Sequence, residues 1–370
     1  MVLTLLTKLP KKGIIAIMNE KNIVVNSFNE WDPLEEVIVG IVDNSHIPKF
    51  DIAIEATMPK KFHHFFKKNG GNPFNKEIIL LAKKELENFC KILVSEKVIV
   101  RRPSPTAFDK PFSSPNWQSP SGLYAAMPRD ILLVIGDKII ESPMAWRSRY
   151  FEINAYRPLL KKYFKEGANW IAAPKPELND DLYEYKYDVK NNTYLVNENE
   201  PVFDAADFIR CGKDIFVQQS HVTNKFGIEW LRRTIGNQYN VHLLKFNDDS
   251  PMHIDATFMP IAPGKLLINP NRVKKIPKLF KDWDILLAPK PIIPESQLLY
   301  FTSKWISMNV FMLSPRKVTI EEEEIPLIEA FNNWGFEVIT CPFRNFNSFG
   351  GSFHCATLDI RRKGKLESYF

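Results

Sequence analysis

An α/β fold is predicted for this chain of 370 residues, and three observations predict it. An amphipathic helical stretch hands over to an apolar strand about five times. Glycine, a common helix stop, stands at several of these handovers. Further short apolar strands lie between the units. A duplicated αβ unit stacked round an axis would give this pattern. An ordinary open α/β sheet would give it too, and periodicity alone leaves the two open.

The elements follow in order. Ile79, Ala82, Leu86, Phe89, Cys90 and Leu93 share one helical face and lead to the strand Val98-Ile99-Val100. Tyr150 to Glu166 reads as a helix despite Pro158; it stops at Gly167 before Trp170-Ile171-Ala172. Ile228, Leu231 and Ile235 mark a third helix, ended by Gly236 before Val241-His242-Leu243-Leu244. A shorter one around Leu279 and Phe280 precedes Ile285-Leu286-Leu287. The fifth, Thr319 to Trp334, stops at Gly335 before Phe336-Glu337-Val338-Ile339. The intervening strands are Val37-Ile38-Val39, Ile131-Leu132-Leu133-Val134, Ile215-Phe216-Val217, Leu266-Leu267-Ile268 and Val310-Phe311-Met312-Leu313. Two excursions, a Pro/Ser-rich one through residues 103–122 and a polar one through 179–201, are expected to be surface loops of one domain.

Composition narrows the function. The chain is 45% hydrophobic and 25% charged, as a globular protein is. No apolar run approaches the roughly 18 residues that span a bilayer, so no membrane role is expected. The formal charge is +6 but no basic block forms; Lys274-Lys275 and Arg361-Arg362-Lys363 read as solvated faces rather than a nucleic-acid groove. The first seven residues are too short for a signal-peptide core, so residues 1–25 are expected to be a flexible leader on a cytoplasmic protein, with one domain over 26–370. The four cysteines, Cys90, Cys211, Cys341 and Cys355, form no CxxC pair. They are expected to be free thiols that hold no metal. Cys90 and Cys341 read as core, and Cys211 as a turn residue beside Gly212.

A nucleophilic-cysteine site would need a thiol, an imidazole and a carboxylate, and no metal or organic cofactor. Cys355 follows the glycine-containing loop Phe349-Gly350-Gly351-Ser352-Phe353 and sits beside His354, a setting that can favour thiolate. A buried structural cysteine is the competing reading. His253 and Asp255 would project to one side of an extended segment, as acid/base and cation-binder, or simply satisfy each other in a loop. Asp204 or Asp207 could orient His253, or cap a helix or turn. Asp130, ahead of an apolar strand, could help bind a guanidinium, or could be a strand-entry turn residue.

Longer stretches carry a resemblance. Asn29-Glu30-Trp31-Asp32-Pro33-Leu34, Met127-Pro128-Arg129-Asp130, Pro143-Met144-Ala145-Trp146-Arg147-Ser148-Arg149, Phe203-Asp204-Ala205-Ala206-Asp207, Pro251-Met252-His253-Ile254-Asp255 and Phe353-His354-Cys355 resemble the arginine:glycine amidinotransferase family, in the same order from about Asn26 to the C-terminus. The resemblance implies the pentein fold, an α/β-propeller of five ββαβ-type modules around a central site. It implies a ping-pong transfer of the amidino group of L-arginine to a primary amine through an amidino-Cys355 intermediate, with release of L-ornithine. His253 would be the acid/base and Asp204 its partner. Asp130 and Asp255 would bind the guanidinium; Arg272 and Ser303 would hold the donor's α-carboxylate. Small-molecule substrates are the expected partners, with a homodimer as a further expectation. The chain departs from the animal glycine enzyme at Ser250 and Ala356, so glycine is not assumed as acceptor. Its overall character resembles the bacterial relatives of toxin biosynthesis, the saxitoxin type above all, with a larger amine as acceptor. Glycine transfer and a deiminase-type hydrolysis to citrulline are the alternatives.

Overall fold

Five three-stranded sheets repeat one plan. In the computed structural model, which describes residues 23–370, each sheet pairs an inner strand antiparallel to a middle strand. The chain then crosses over, by a helix or a helical turn, to an outer strand parallel to the middle one. The second module has strands Leu132–Ile135, Lys138–Glu141 and Asn169–Ala172. The third has Phe208–Cys211, Asp214–Gln218 and Asn240–Leu244. The fourth has Phe258–Ala262, Lys265–Ile268 and Asp284–Leu287. The fifth has Phe311–Ser314, Lys317–Glu321 and Glu337–Cys341. The first is built from both ends of the chain: its inner strand, Thr357–Arg362, pairs with Leu34–Val39, which pairs with Ile99–Arg101.

Burial follows the radial position of each strand. Leu132–Ile135, Phe208–Cys211 and Phe258–Ala262 are buried at every residue, whereas the outer strands alternate between half-buried and exposed. Continuous apolar runs such as Leu132-Leu133-Val134-Ile135 suit strands covered on both faces. This arrangement decides between the two readings of the repeat: the units stack round an axis rather than forming one open sheet.

Local sequence explains the crossovers. Lys76–Ser95 starts at Asn75, whose side chain accepts from Glu77 N at 2.8 Å, and buries Ala82, Leu86, Phe89 and Leu93. Lys225–Ile235 starts at Asn224, which accepts from Gly227 N at 2.8 Å, and stops at Gly236 with φ +85°. Four expectations are corrected. The helix expected over Tyr150 to Glu166 is α-helical only over Arg157–Lys165, with Pro158 in the first turn where its missing N–H costs nothing. The fifth helix is Ile325–Asn333; Thr319 lies in the strand Lys317–Glu321, where Val318, Thr319 and Ile320 supply β-branched side chains. Leu279 and Phe280 form one 3-10 turn. Cys211 is the last residue of a strand and is buried.

The expected leader lies mostly outside the described residues, although Val25 is buried against Ile38, Ile131 and Leu358. No helix among the described residues is long and apolar enough to cross a membrane.

At the hub, buried charges join the modules. Asp359 accepts from Arg129 (2.6 Å), Arg210 (2.7 Å) and Arg362 (2.7 Å). Glu30 accepts from Arg210 Nε (2.8 Å) and Nη2 (2.6 Å), with Arg129 at 3.4 Å. Arg362, expected on a solvated face, is 1% exposed and belongs to this cluster. Burial by itself would raise the Asp359 carboxyl; Arg210, Arg129 and Arg362 outweigh that and hold it well below the usual range. Asp359→Asn removes the carboxylate shared by three buried arginines. We expect a loss of about 3–5 kcal/mol of stability, the size typical of breaking a buried pair, read as a lower urea midpoint at pH 7. Because the folded pKa is depressed, this contribution is present above the unfolded value near pH 4 and lost as pH falls through the folded one. A variant midpoint equal to the native one would refute the role.

Candidate active site

Segments that lead into the inner strands meet over one cleft of about 400 Å³. His253, Asp255, Arg272, Ser303 and Cys355 all line it. Asp130 and Asp204 lie behind His253 and are 2% exposed. The structure therefore gathers all seven residues singled out from sequence, although they lie between positions 130 and 355.

Cys355 sits in a turn between Arg344–Asn347 and the strand Thr357–Arg362. Its backbone N–H, like that of Ser352, donates to Asn309 Oδ1, at 2.9 and 3.1 Å. The preceding glycines have steric reasons to be there. Gly350 has φ +96°, and a Cβ on Gly351 would lie 2.6 Å from the Cys355 Cβ and 2.5 Å from the Met127 sulfur. The thiol donates to Asp255 Oδ2 at 3.3 Å. Burial, and then the charges of Asp255 and Asp130, push the Cys355 thiol well above its ordinary range.

His253 adopts φ +60°, uncommon for a residue with a Cβ, and the 3-10 turn Ile254–Ala256 follows it. The segment is thus not extended, yet His253 and Asp255 both line the cleft. Nε2 of His253 lies 3.1 Å from Asp204 Oδ2, while Nδ1 lies 3.6 Å from Asp130 Oδ1. Burial would lower the imidazolium pKa, but Asp130, Asp204 and Asp207 outweigh it and hold it at about 10. Asp207 does not orient the ring; it accepts from Ser220, Thr223 and Gln218. Burial pushes Asp207 up to about 6.

Arg149 ties the carboxylates together from behind. It donates to Asp130 Oδ2 at 2.9 Å and to Glu152 Oε2 at 3.0 Å, and lies 3.6 Å from Asp204 Oδ2. Its guanidinium lies over the Tyr124 ring, 5.6 Å from the centroid. Across the cleft, Arg272 donates to Thr257 Oγ1 at 3.1 Å and pairs with Asp248 at 3.0 Å. Ser303 is the residue before the 3-10 turn Lys304–Met308.

Two sequence readings are revised here. His354 was expected to activate the adjacent thiol directly; its ring instead bridges Asp255 and Glu30, at 2.8 and 3.1 Å. Ala356 is fully buried and does not line the cleft, whereas Ser250 and Met252 do. The polar excursion through 179–201 reaches the cleft at Tyr187, while residues 106–112 line a separate cavity. Sequence reasoning gave no role to Glu30, Arg129, Arg149, Glu152, Arg210, Asn309 or Asp359. A signal existed for two of them: Arg210 and Asp359 are opposite charges set inside the apolar strands Phe208–Cys211 and Thr357–Arg362.

No protein-family model matches the chain. Individual proteins do. The L-arginine:L-lysine amidinotransferase of Pseudomonas savastanoi pv. phaseolicola is 56% identical over 349 residues, 93% of this chain and 96% of that protein. The mitochondrial glycine amidinotransferase of Xenopus laevis is 47% identical over 358 residues, 94% of this chain and 85% of that protein. SxtG, an amidinotransferase from Microseira wollei in the saxitoxin biosynthetic pathway, superposes with a TM-score of 0.88 at 50% identity, covering 94% of this chain and 99% of that one. Identity of this order over nearly the whole length of both partners, together with the shared architecture, establishes that the chain belongs to the amidinotransferase family, transferases with the pentein fold.

Proposed function

We propose that the protein moves the amidino group of L-arginine to an acceptor primary amine by a ping-pong reaction through Cys355. The observation that carries this reading is the convergence on one cleft of a thiol, an imidazole and buried carboxylates, with Arg272 and Ser303 on the same wall system. Two carboxylates suit a planar guanidinium, and a guanidinium with a hydroxyl suits the α-carboxylate at the far end of arginine. Asp130 Oδ1 is buried and accepts no hydrogen bond from the protein, His253 Nδ1 lying 3.6 Å away, so it retains the capacity to accept one from the guanidinium.

Binding a cation against Asp130 and Asp255 offsets the negative field that keeps the thiol protonated. The thiol gives up its proton to water in the open cleft, the resulting thiolate attacks the guanidinium carbon, and the bond to the ornithine nitrogen breaks. His253 delivers a proton to that nitrogen. Its Nε2 is engaged by Asp204, so Nδ1 is the atom that exchanges the proton. Neutral ornithine amine departs, leaving an amidino-thioether. The acceptor amine next attacks the same carbon, His253 takes its proton, the carbon–sulfur bond breaks and the sulfur is restored. Asp204 holds the imidazole in place throughout.

A cleft of about 400 Å³ bordered by Ser250, Met252, Tyr187 and Asp248 favours an acceptor larger than glycine. The saxitoxin-type reading rests on the likeness to SxtG. An L-lysine acceptor is the second reading, favoured by the 56% identity to the lysine enzyme. We further assign residues 26–370 to one catalytic domain, the cytoplasm as location, small-molecule substrates as partners and a homodimer as the working form. Light scattering at micromolar protein measures the last; a monomer mass would sink it.

Incubation with L-arginine and a panel of amines should release ornithine and give guanidinylated products by mass, with an amidino adduct on the Cys355 peptide. Cys355→Ser should abolish all three. Citrulline and ammonia as main products would instead identify a hydrolase. A second expectation concerns pH. Since anions raise the His253 pKa, Asp204→Asn should lower it, moving the alkaline fall in turnover from near pH 10 to lower pH. The stability that His253 contributes is present below its unfolded value near 6.5 and lost as pH rises through about 10. An alkaline limb unmoved by Asp204→Asn would remove His253 from the acid/base role.

A further inference from the structure

Next to the nucleophile stands an imidazole whose ring serves a different partner. His354 is 2% exposed and lines no part of the cleft. Nδ1 of its ring lies 2.8 Å from Asp255 Oδ2, and Nε2 lies 3.1 Å from Glu30 Oε2. With an ionised carboxylate on either side, both contacts are hydrogen bonds only when both ring nitrogens carry hydrogen. Asp255 Oδ2 is also the atom that accepts the Cys355 thiol, at 3.3 Å. One oxygen therefore receives both the imidazolium and the sulfur's hydrogen.

Glu30 cannot drift. Arg210 grips it through Nε and Nη2, and Arg210's backbone N–H donates to it at 3.1 Å. Arg129, which also faces Glu30, donates through Nε to the carbonyl of His354 at 3.1 Å. The ring and the main chain of residue 354 are thus both anchored in the hub. Arg129 directly precedes Asp130, so one short helix, Pro128–Ile131, sends one side chain to the hub and the next toward His253.

We propose that Glu30 and His354 are positioning residues of the amidino transfer. Through Asp255 they fix where the guanidinium lies against the sulfur and how readily the sulfur loses its hydrogen. The proposal rests on the reading of Cys355 as nucleophile and Asp255 as guanidinium ligand. Its physics is local charge. Asp255 faces His354, Cys355 and His253; Cys355 faces Asp255 and Asp130. Arg149 opposes Asp130 and Asp204 from behind but does not contact Asp255. His354 is then the cation in hydrogen-bonding contact with Asp255. Removing its charge leaves the thiol beside a more basic carboxylate, which holds the thiol hydrogen more tightly and receives the substrate less firmly.

Glu30→Gln and His354→Asn test this. With arginine as donor, each should lower kcat/KM about 100-fold, with KM raised as well as kcat lowered, the scale expected when a reacting group is misplaced by about 1 Å. Alkylation of Cys355 by iodoacetamide, followed by peptide mass across pH, should show its midpoint moved up by about one pH unit. A purely structural role would lower melting temperature and activity while leaving the alkylation midpoint of the folded fraction in place, and that result would overturn the proposal, as would kcat/KM within threefold of native. If a variant does not fold, the ¹⁵N shifts of His354 in the native protein decide: two protonated ring nitrogens support the proposal and a neutral tautomer refutes it. Alkylation needs no turnover, so it reports on Glu30 and His354 even if native protein yields no ornithine.

Discussion

The fold depends on a buried electrostatic cluster at its axis. Three arginines, Arg129, Arg210 and Arg362, converge on two carboxylates, Glu30 and Asp359, with almost no exposure to water. Such a cluster is costly to desolvate and more costly to break, because removing one partner strands the rest. Its members come from both ends of the chain and from the second and third modules. Any misplacement of one module leaves a buried charge unmatched. Apolar packing drives the five sheets together, but the cluster rewards one arrangement of them. The same logic closes the ring: the last strand, Thr357–Arg362, supplies Asp359 and Arg362 and completes the sheet begun by Leu34–Val39.

Structure and chemistry share that cluster. Cys355 is four residues before Asp359, Asp130 directly follows Arg129, and Asp204 is six before Arg210. In each case a hub charge fixes a short stretch of backbone, and the site residue is carried on it. This explains how side chains scattered through the sequence can be held to hydrogen-bonding distances without a metal-like template. It also explains the strained backbone at His253, whose φ of +60° is retained because Asp204 and Asp130 hold its ring from two sides.

The site itself is polarised. Burial and carboxylates keep the thiol protonated, and carboxylates, against burial, keep the His253 ring cationic. A resting thiol is protected from adventitious chemistry, and a cationic substrate alters the field that protects it. On the proposed function, specificity and activation would arise from the same two carboxylates, Asp130 and Asp255. Ser250, Met252 and Tyr187 form another part of the cleft's border, the part to which the proposed function assigns acceptor choice.

By itself the sequence determined the alternation of helices and strands, most strand positions to within about three residues, and the family that the motifs Phe353-His354-Cys355 and Pro251-Met252-His253 resemble; it gave no sign of the strands Lys138–Glu141, Phe208–Cys211, Phe258–Ala262 and Thr357–Arg362 and read part of Lys317–Glu321 as helix. These are local properties: periodicity, turn residues and residue identity are present in any conformation of the chain. It did not determine which carboxylate faces which imidazole. By local pattern Asp204 and Asp207 are equivalent; the family resemblance points to Asp204, and the fold agrees, giving three hydroxyl and amide donors to Asp207 and leaving Asp204 to His253. His354 looked like a partner of its neighbour Cys355, and only tertiary structure turned it between Asp255 and Glu30. Arg362 looked solvated because its neighbours Arg361 and Lys363 are basic, yet the strand pleat buries it while leaving Lys363 exposed. Hydrogen bonding and burial are relations between segments far apart in the chain, and no window of sequence contains both ends of such a relation.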